Sequence, residues 1–190
     1  CNARFLKLGL EGHTLQMIGT EGGLLDKPYP ATSILLSPGE RLDVLVKANQ
    51  TSRNYRLLAQ PYSRMGNMGS QQVTLMTLSY KGSRTNDAVP SIINPGAARI
   101  NPMIAKTERI SLSMGQGKGY INGISFTMDN YYAIHSHLGT YEIWEIVNQS
   151  GMDHPFHQHV NPCQVLSITG GDASYASFLK SAPAWKDVVL

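Results

Sequence analysis

Apolar and polar residues alternate over short stretches of this chain, and turn-forming residues interrupt the alternation at close intervals. Ile110, Leu112 and Met114 alternate with polar neighbours, and residues 42–46 show the same period of two. Successive side chains of a strand point to opposite faces, so this period predicts strands with one buried face. With 18 glycines and 10 prolines between such stretches, the sequence predicts an all-β fold of the sandwich or barrel type. A helical turn is predicted at residues 173–179.

The overall composition is that of a globular chain. Of its 190 residues, 42% are hydrophobic and 15% are charged, which supplies enough apolar surface for a packed core. The formal net charge of +3 contains no run of Lys or Arg, so neither a nucleic acid nor a membrane is predicted as a partner. Two cysteines, Cys1 and Cys163, are too few for a disulfide framework. Cys163 is interpreted as a small buried residue that begins a strand at residues 163–168.

The chain divides near its middle. Residues 81–106 contain several prolines and glycines and little periodicity, which indicates a linker. We therefore predict one β-domain at residues 1–80 and a second at residues 107–190. Each is short beside a β-sandwich of about 100 residues, and both chain ends read as interrupted strands. The sequence thus predicts two partial domains, and a fragment of a longer protein.

A cluster of histidines carries the chemical signal. His154, His157 and His159 lie within six residues, and imidazole is the commonest protein ligand for transition metals. In an extended chain His157 and His159 point the same way, whereas His154 points to the opposite face, roughly 10 Å along the strand from His157. This geometry favours one segment that serves two metal centres over one closed site. Histidine suits copper, zinc, iron and nickel, so the cluster alone does not name the metal.

Other readings of the histidines remain open at this point. A zinc hydrolase also uses several histidines with a nearby carboxylate, for which Asp153 is available. His135 and His137 share a face of any strand that contains them, but we interpret them as an exposed loop or strand. His13 is interpreted as a structural residue.

Several segments resemble, in the same order, parts of the multicopper oxidases, the family of laccases and related blue copper enzymes. Those that resemble its second domain are residues 10–13, 19–23 and 37–41, and those that resemble its third domain are residues 120–123, 139–145, 154–159 and 185–187. The resemblance implies cupredoxin-like, Greek-key β-domains. The most specific part is His154-Pro155-Phe156-His157-Gln158-His159, which resembles the His-Pro-x-His-x-His motif of that family.

The resemblance also implies a role for each histidine. His154 would bind the mononuclear type 1 copper, where substrate electrons enter, and is therefore the candidate catalytic residue. His157 would bind the type 2 copper of the trinuclear cluster, and His159 one of the paired type 3 coppers. In this family the thiolate and further ligands come from a His-Cys-His segment and from a first domain, neither of which this sequence contains. Those segments of the same protein are therefore expected partners, and this chain alone is expected to be inactive.

The function implied by the resemblance is oxidation of small molecules with dioxygen as the acceptor. The expected substrates are phenols, aromatic amines or metal ions, oxidised in one-electron steps while dioxygen is reduced to water. The expected location is the periplasm or the outside of the cell. The alternative is a non-catalytic cupredoxin-like scaffold or partner-binding module, which retention of all three candidate ligands argues against.

Overall fold

The structure is a computed structural model, and it describes residues 4–64, 68–69, 71–83, 86–130 and 134–190. Short strands and one helix make up the regular structure of these residues. In chain order the elements are β1 (Leu6–Leu10), β2 (Leu15–Thr20), β3 (Gly23–Ala31), β4 (Ile34–Leu36), β5 (Leu42–Val46), β6 (Asn54–Gln60), β7 (Ser63–Arg64), β8 (Met68–Gly69), β9 (Val73–Ser79), β10 (Ile104–Gly115), β11 (Lys118–Ile121), β12 (Tyr141–Asn148), β13 (Phe156–His157), α1 (Ala173–Ser181) and β14 (Val188–Val189). The all-β prediction is confirmed. The described residues include no helix with the length and apolar character needed to cross a bilayer.

The chain forms two compact units that differ from the predicted division. Unit 1 comprises Cys1–Arg99 together with Pro155–Leu190, and unit 2 comprises Ile100–His154. Strand β10 already begins at Ile104, inside the stretch that the sequence analysis interprets as a linker. The division into domains at residues 1–80 and 107–190 concerns the parent protein, and it stays a prediction.

Unit 1 contains two main sheets. One has the strand order β4-β1-β6-β9 and the other the order β3-β2-β5, with antiparallel pairing throughout. Two apolar clusters fill this unit. The first joins β3 and β4 to helix α1 through residues that include Leu25, Leu35 and Leu179, and the second gathers Leu10, Leu15 and other residues. The C-terminal segment therefore completes a core that the N-terminal strands begin.

Helix α1 forms where the sequence supplies a cap and one apolar face. The Asp172 carboxylate accepts hydrogen bonds from the backbone N–H groups of Ser174 and Tyr175, both at 3.0 Å, which satisfies two donors left free at the helix start. Tyr175 and Leu179, four residues apart, are its buried residues. The helix predicted at residues 173–179 is thus confirmed and extends by two residues.

Arg99 joins the two chain segments of unit 1 through its side chain. Its guanidinium donates to the carbonyls of Leu179 and Ala182 at the end of α1, and to the carbonyl of Val165 at 2.5 Å. Carbonyls at a helix C-terminus lack partners within the helix, so a cation there is favourable. The strand predicted at residues 163–168 is wrong, because only Cys163 forms a β-bridge, to Lys186. The Val165 carbonyl bonds to Arg99 instead of a strand.

Unit 2 contains a three-stranded sheet with the order β11-β10-β12, in which β10 and β12 run parallel. Among its described residues, Ile110 is the one buried apolar side chain, at 1% exposure. Large apolar side chains such as Phe126, which is 72% exposed, lie at its surface. The alternating residues of β10 therefore form the predicted strand, but little of the apolar face of this strand is buried.

Candidate metal-ligand site

A two-stranded ribbon positions the second and third histidines of the motif. In β13, Phe156 pairs with Val189 and His157 with Val188 of β14. The ring centroids of His157 and His159 lie 4.6 Å apart, and both side chains are exposed. The two rings come together as the alternation of side chains predicts, although the strand itself ends at His157.

One hydrogen bond sets the orientation of the His157 ring. Its Nδ1 lies 2.8 Å from the backbone carbonyl of Asp187. A carbonyl only accepts hydrogen bonds, so Nδ1 carries the proton in this contact and Nε2 keeps its lone pair. Metal-binding histidines are commonly held in this way, with one ring nitrogen donating to a carbonyl or carboxylate and the other facing the metal. His157 is therefore presented as a ligand through Nε2.

Asp187 is itself held by Arg41. The guanidinium donates from Nη1 to Oδ1 at 2.9 Å and from Nη2 to Oδ2 at 2.7 Å, a bidentate pair. These hydrogen bonds are the main reason why the pKa of Asp187 lies below its usual value. Asp187 Oδ1 also lies 3.9 Å from His157 Nδ1. The residue that orients His157 thus has both carboxylate oxygens engaged by one cation.

The turn before β5 places Arg41 and Glu40. Ser37, Pro38, Gly39 and Glu40 form a turn in which the N–H of Glu40 donates to the Ser37 carbonyl at 3.1 Å. Pro38 fixes φ at the second position, and Gly39 adopts φ +92° at the third, as a type II turn requires. The Glu40 carboxylate also accepts from the Ser37 N–H at 2.7 Å. The sequence thus fixes this turn by its own local chemistry.

A buried ion cluster lies next to the Arg41–Asp187 pair. It is formed by Glu21, Glu40 and Lys186. Lys186 is 2% exposed, and its Nζ lies 2.7 Å from Glu40 Oε1 and 3.0 and 2.9 Å from the two oxygens of Glu21. The Tyr175 hydroxyl donates to Glu40 Oε1 at 2.7 Å. Burial, and then the charge of Glu40, raises the pKa of Tyr175, which stays a neutral donor. Buried charges are tolerated when they are paired and hydrogen-bonded in this manner.

The histidine pair opens onto a small pocket of about 270 Å³ in unit 1. Glu21, His157, His159 and Asp187 supply its charged and titratable lining. The two imidazoles are the groups of this lining that could bind a transition metal. A larger cavity of about 590 Å³ lies between α1 and the β3–β4 region. None of the predicted ligands lines it.

His154, the last residue of unit 2, is half-buried. Its Nε2 is buried and has no hydrogen-bond partner among the described residues. A buried polar atom without a partner is costly, and a metal ion bound to this nitrogen would remove that cost. The donor sets of His154 and of the His157–His159 pair therefore both fit a transition metal. Within the described ranges, no group of three or more His, Cys, Asp or Glu side chains could hold a metal ion by itself.

The remaining candidates occupy structural positions. His13 has its Nδ1 2.6 Å from the Glu11 carbonyl and its Nε2 2.8 Å from the Tyr80 hydroxyl, so both nitrogens are used and its structural role is confirmed. His135 and His137 are exposed and lie outside the strands, as expected.

The structure describes one of the two cysteines. Cys163 is a free, half-buried thiol, and burial raises its pKa. Cys1 lies outside the described residues.

Sequence reasoning overlooked the residues that support the ligands. Arg41, Lys186 and Asp187 lie in segments that resemble the family, but the sequence alone predicts no role for them. The available signal is Lys186 itself, a charged residue two positions before the apolar run of residues 188–190. A lysine that is buried requires acidic partners, which Glu21 and Glu40 provide.

Known proteins are similar to this chain in sequence and in fold. Two family models for multicopper oxidases match residues 2–83 and 97–190. The chain belongs to the multicopper oxidase family. The all-β, cupredoxin-like fold is thereby confirmed, and family membership implies copper as the cofactor and an oxidoreductase as the class of protein.

Individual relatives span the plant and bacterial kingdoms. Multicopper oxidase LPR2 of Arabidopsis thaliana is 27% identical over 88% of this multicopper oxidase chain and 31% of its own length. The cell division protein FtsP of Xenorhabdus nematophila is 28% identical over 99% of this chain and 40% of its own length. The crystal structure of the McoA multicopper oxidase from Aquifex aeolicus superposes with a TM-score of 0.74, at 29% identity, over 99% of this chain and 43% of that one. The chain thus spans about a third to two fifths of the curated relatives it matches.

Proposed function

We propose that this chain is the part of a laccase-like multicopper oxidase that links an electron-entry copper to an oxygen-reducing copper cluster. In this proposal His154 binds the type 1 copper, His157 the type 2 copper and His159 one type 3 copper. The observation that carries it is the hydrogen bond from His157 Nδ1 to the Asp187 carbonyl at 2.8 Å, because it leaves Nε2 available beside the exposed His159.

Copper, when bound, supplies one-electron redox chemistry and the reduction of dioxygen to water. The residues of this chain hold and orient its ligands. His154 offers a buried Nε2 that no protein group engages among the described residues, so its lone pair is not lost to a competing donor. Glu21 and Asp187 line the same pocket as His157 and His159, and their carboxylates are paired with Lys186 and Arg41.

The proposed reaction is the one-electron oxidation of phenols, aromatic amines or metal ions, coupled to the four-electron reduction of dioxygen. The remaining ligands would come from other segments of the same protein, namely a first domain and a His-Cys-His segment, so this chain alone would be inactive. We further propose that the protein acts in the periplasm or outside the cell. The names of its relatives, which include laccases, support the choice of substrates.

A test uses the full-length protein that contains this chain. After loading with copper, we expect blue absorbance, stoichiometric copper by elemental analysis, and one dioxygen consumed for four molecules of a simple phenol oxidised. His154→Ala should abolish the blue absorbance and the phenol oxidation. His135→Ala, which removes an exposed histidine of the same unit, should leave both unchanged. A protein that takes up no copper and shows no blue absorbance would contradict the proposal.

A second candidate function is a non-catalytic, cupredoxin-like scaffold or partner-binding module. Similarity to a cell division protein over 99% of this chain favours it. The two candidates differ in copper dependence: a scaffold would bind its partner equally well before and after removal of copper, and without any oxidation of a phenol. The presence of His154, His157 and His159 in ligand-competent settings favours the oxidase.

A further inference from the structure

The orientation of His157 depends on a carbonyl that is held in place by a distant residue. His157 Nδ1 donates to the backbone oxygen of Asp187, and the Gln158 N–H donates to the same oxygen at 2.9 Å. This oxygen can fix the ring only if the Asp187 backbone is itself fixed. The side chain of Asp187 is paired with Arg41, which is 146 positions away along the chain.

Arg41 is anchored at both its backbone and its side chain. Its backbone N–H donates to Glu21 Oε1 at 2.7 Å, and Glu21 belongs to the buried ion cluster around Lys186. Its guanidinium forms the bidentate pair with Asp187. Residues 186 and 187 are therefore both held by charged partners from the β2–β5 region.

The Asp187 carboxylate would otherwise compete with the Asp187 carbonyl for the His157 proton. Oδ1 lies 3.9 Å from His157 Nδ1, which a small side-chain rotation would close to hydrogen-bond distance. With Arg41 present, both carboxylate oxygens accept strong, charge-assisted hydrogen bonds. With Arg41 absent, the freed carboxylate can accept the Nδ1–H hydrogen bond in place of the carbonyl and turn the ring from its ligand position, while the proton stays on Nδ1.

We propose that Arg41 and Asp187 form a positioning pair that keeps the Nδ1–H of His157 on the Asp187 carbonyl and so fixes the ring orientation, with Nε2 facing the metal. This proposal rests on the proposed function for the identity of the metal. The hydrogen bond itself is a property of the metal-free protein and can be measured without copper.

The chain contains a closely matched control pair. Arg56 donates through Nε and Nη2 to Glu11 Oε1, also as a surface pair in unit 1. The two guanidinium side chains are 57% and 53% exposed, for Arg41 and Arg56 respectively. Glu11 is not among the residues that contact His157 or line its pocket. The two arginines thus differ in what their acidic partner contacts. The partner of Arg41, Asp187, orients His157, whereas the partner of Arg56, Glu11, does not line the His157 pocket.

The experiment measures the ring nitrogens of His157 by ¹⁵N NMR in the metal-free, full-length protein, at a pH where imidazole is neutral. His157→Ala assigns the signal. We expect the Nδ1-protonated tautomer in the wild type, in Arg56→Ala and in Arg41→Ala. The Nδ1 resonance should be the same in the wild type and in Arg56→Ala and shifted in Arg41→Ala, because a charged carboxylate replaces the carbonyl as the acceptor. Arg41→Lys keeps the charge but not the bidentate geometry. Its His157 Nδ1 resonance should lie between those of the wild type and Arg41→Ala, and this variant replaces Arg41→Ala if the latter does not fold.

Copper titration of the same proteins gives the second readout. We expect the dissociation constant of the type 2 copper to rise about tenfold in Arg41→Ala, the lower end of the effect of outer ligand partners, with no change in Arg56→Ala. Arg41→Ala and Asp187→Ala combined should weaken binding no more than the stronger single variant, because the two residues act as one pair.

Two results would overturn the proposal: a wild type with the Nε2-protonated tautomer, or an Arg41→Ala variant with the wild-type Nδ1 resonance of His157. A wild type that has the expected tautomer but binds no copper would overturn the proposed function and leave the positioning role supported.

Discussion

Each unit places one lysine between two glutamates, but the two lysines are in opposite environments. Lys186 of unit 1 has a side chain that is 3% exposed and lies within 3.0 Å of Glu21 and Glu40. Lys106 of unit 2 is 35% exposed and lies 3.6 and 3.7 Å from Glu108 and Glu142. The same arrangement of charges is thus a buried core element in one unit and a surface feature in the other.

The apolar residues of the two units differ in the same direction. Unit 1 buries two clusters, and in the first of them the C-terminal segment supplies buried residues that cover strands of the first 99 residues. Unit 2 buries Ile110 and exposes several large apolar side chains, among the residues described for it. Burial therefore depends on which distant segments pack over a strand, and not on the alternation within it.

The largest effect that separates the units should come from removing the two lysines. Lys186→Ala leaves two buried carboxylates without their counter-ion, so it should reduce the free energy of unfolding by about 3–5 kcal/mol. Lys106→Ala removes an exposed pair and should cost less than about 1 kcal/mol. Urea unfolding measures both, followed by Trp185 fluorescence in a Trp144→Phe background for unit 1 and by Trp144 fluorescence in a Trp185→Phe background for unit 2. Equal losses would contradict the difference between the units.

A smaller effect should come from truncation of one apolar residue in each unit. Leu179→Ala creates a cavity at a residue that is 1% exposed, and should cost about 2–5 kcal/mol. Ile146→Ala, at 37% exposure, should cost less than about 1 kcal/mol, because its surroundings are already open to water. The same urea titrations report both values. If Ile146→Ala lowered the free energy of unfolding as much as Leu179→Ala, the prediction that unit 2 lacks a comparable core would be wrong.

The sequence was sufficient for features that depend on neighbours along the chain. Period-two alternation predicted β5 and β10, and Asp172 caps the helix predicted near residue 173. It also predicted that the rings of His157 and His159 lie together. Each of these follows from local geometry, since strand and helix periods are fixed by the backbone.

Features that depend on distant segments could not be predicted. The strand predicted at residues 163–168 is absent, and the Val165 carbonyl accepts a hydrogen bond from the distant Arg99 instead. The pairing of Lys186 with Glu21 joins residues 165 positions apart, and no local pattern encodes it. The acceptor for His157 is the backbone oxygen of Asp187, which any residue type would supply, and the partner of the Asp187 side chain, Arg41, lies 146 positions away.

The smallest predicted effect concerns pH and the cap of α1. Burial alone would raise the pKa of Asp172, but hydrogen bonds from the Tyr175 and Ser174 N–H groups and the Lys7 ion pair together lower it. A carboxyl whose pKa is lower in the folded state stabilises the fold above its unfolded pKa, near 3.9, and loses that contribution as the pH falls through the folded value.

Asp172→Asn keeps the capping oxygen but not the charge. It should therefore be less stable than the wild type at pH 7 by roughly 1 kcal/mol or less, and the difference should disappear as the pH falls through the lowered pKa of Asp172. Thermal unfolding of both proteins across this range measures it. A difference that is constant with pH would show that the ionised form of Asp172 is not favoured by folding.

The histidine motif crosses the boundary between the units, since His154 ends unit 2 and His157 follows in unit 1. The central claim is that these two histidines serve different copper centres. Electron paramagnetic resonance of the copper-loaded, full-length protein tests it most directly. His154→Ala should lose the type 1 signal and the blue absorbance while the type 2 signal remains, and His157→Ala should lose the type 2 signal while the type 1 signal remains. Loss of the same signal in both variants would contradict the account.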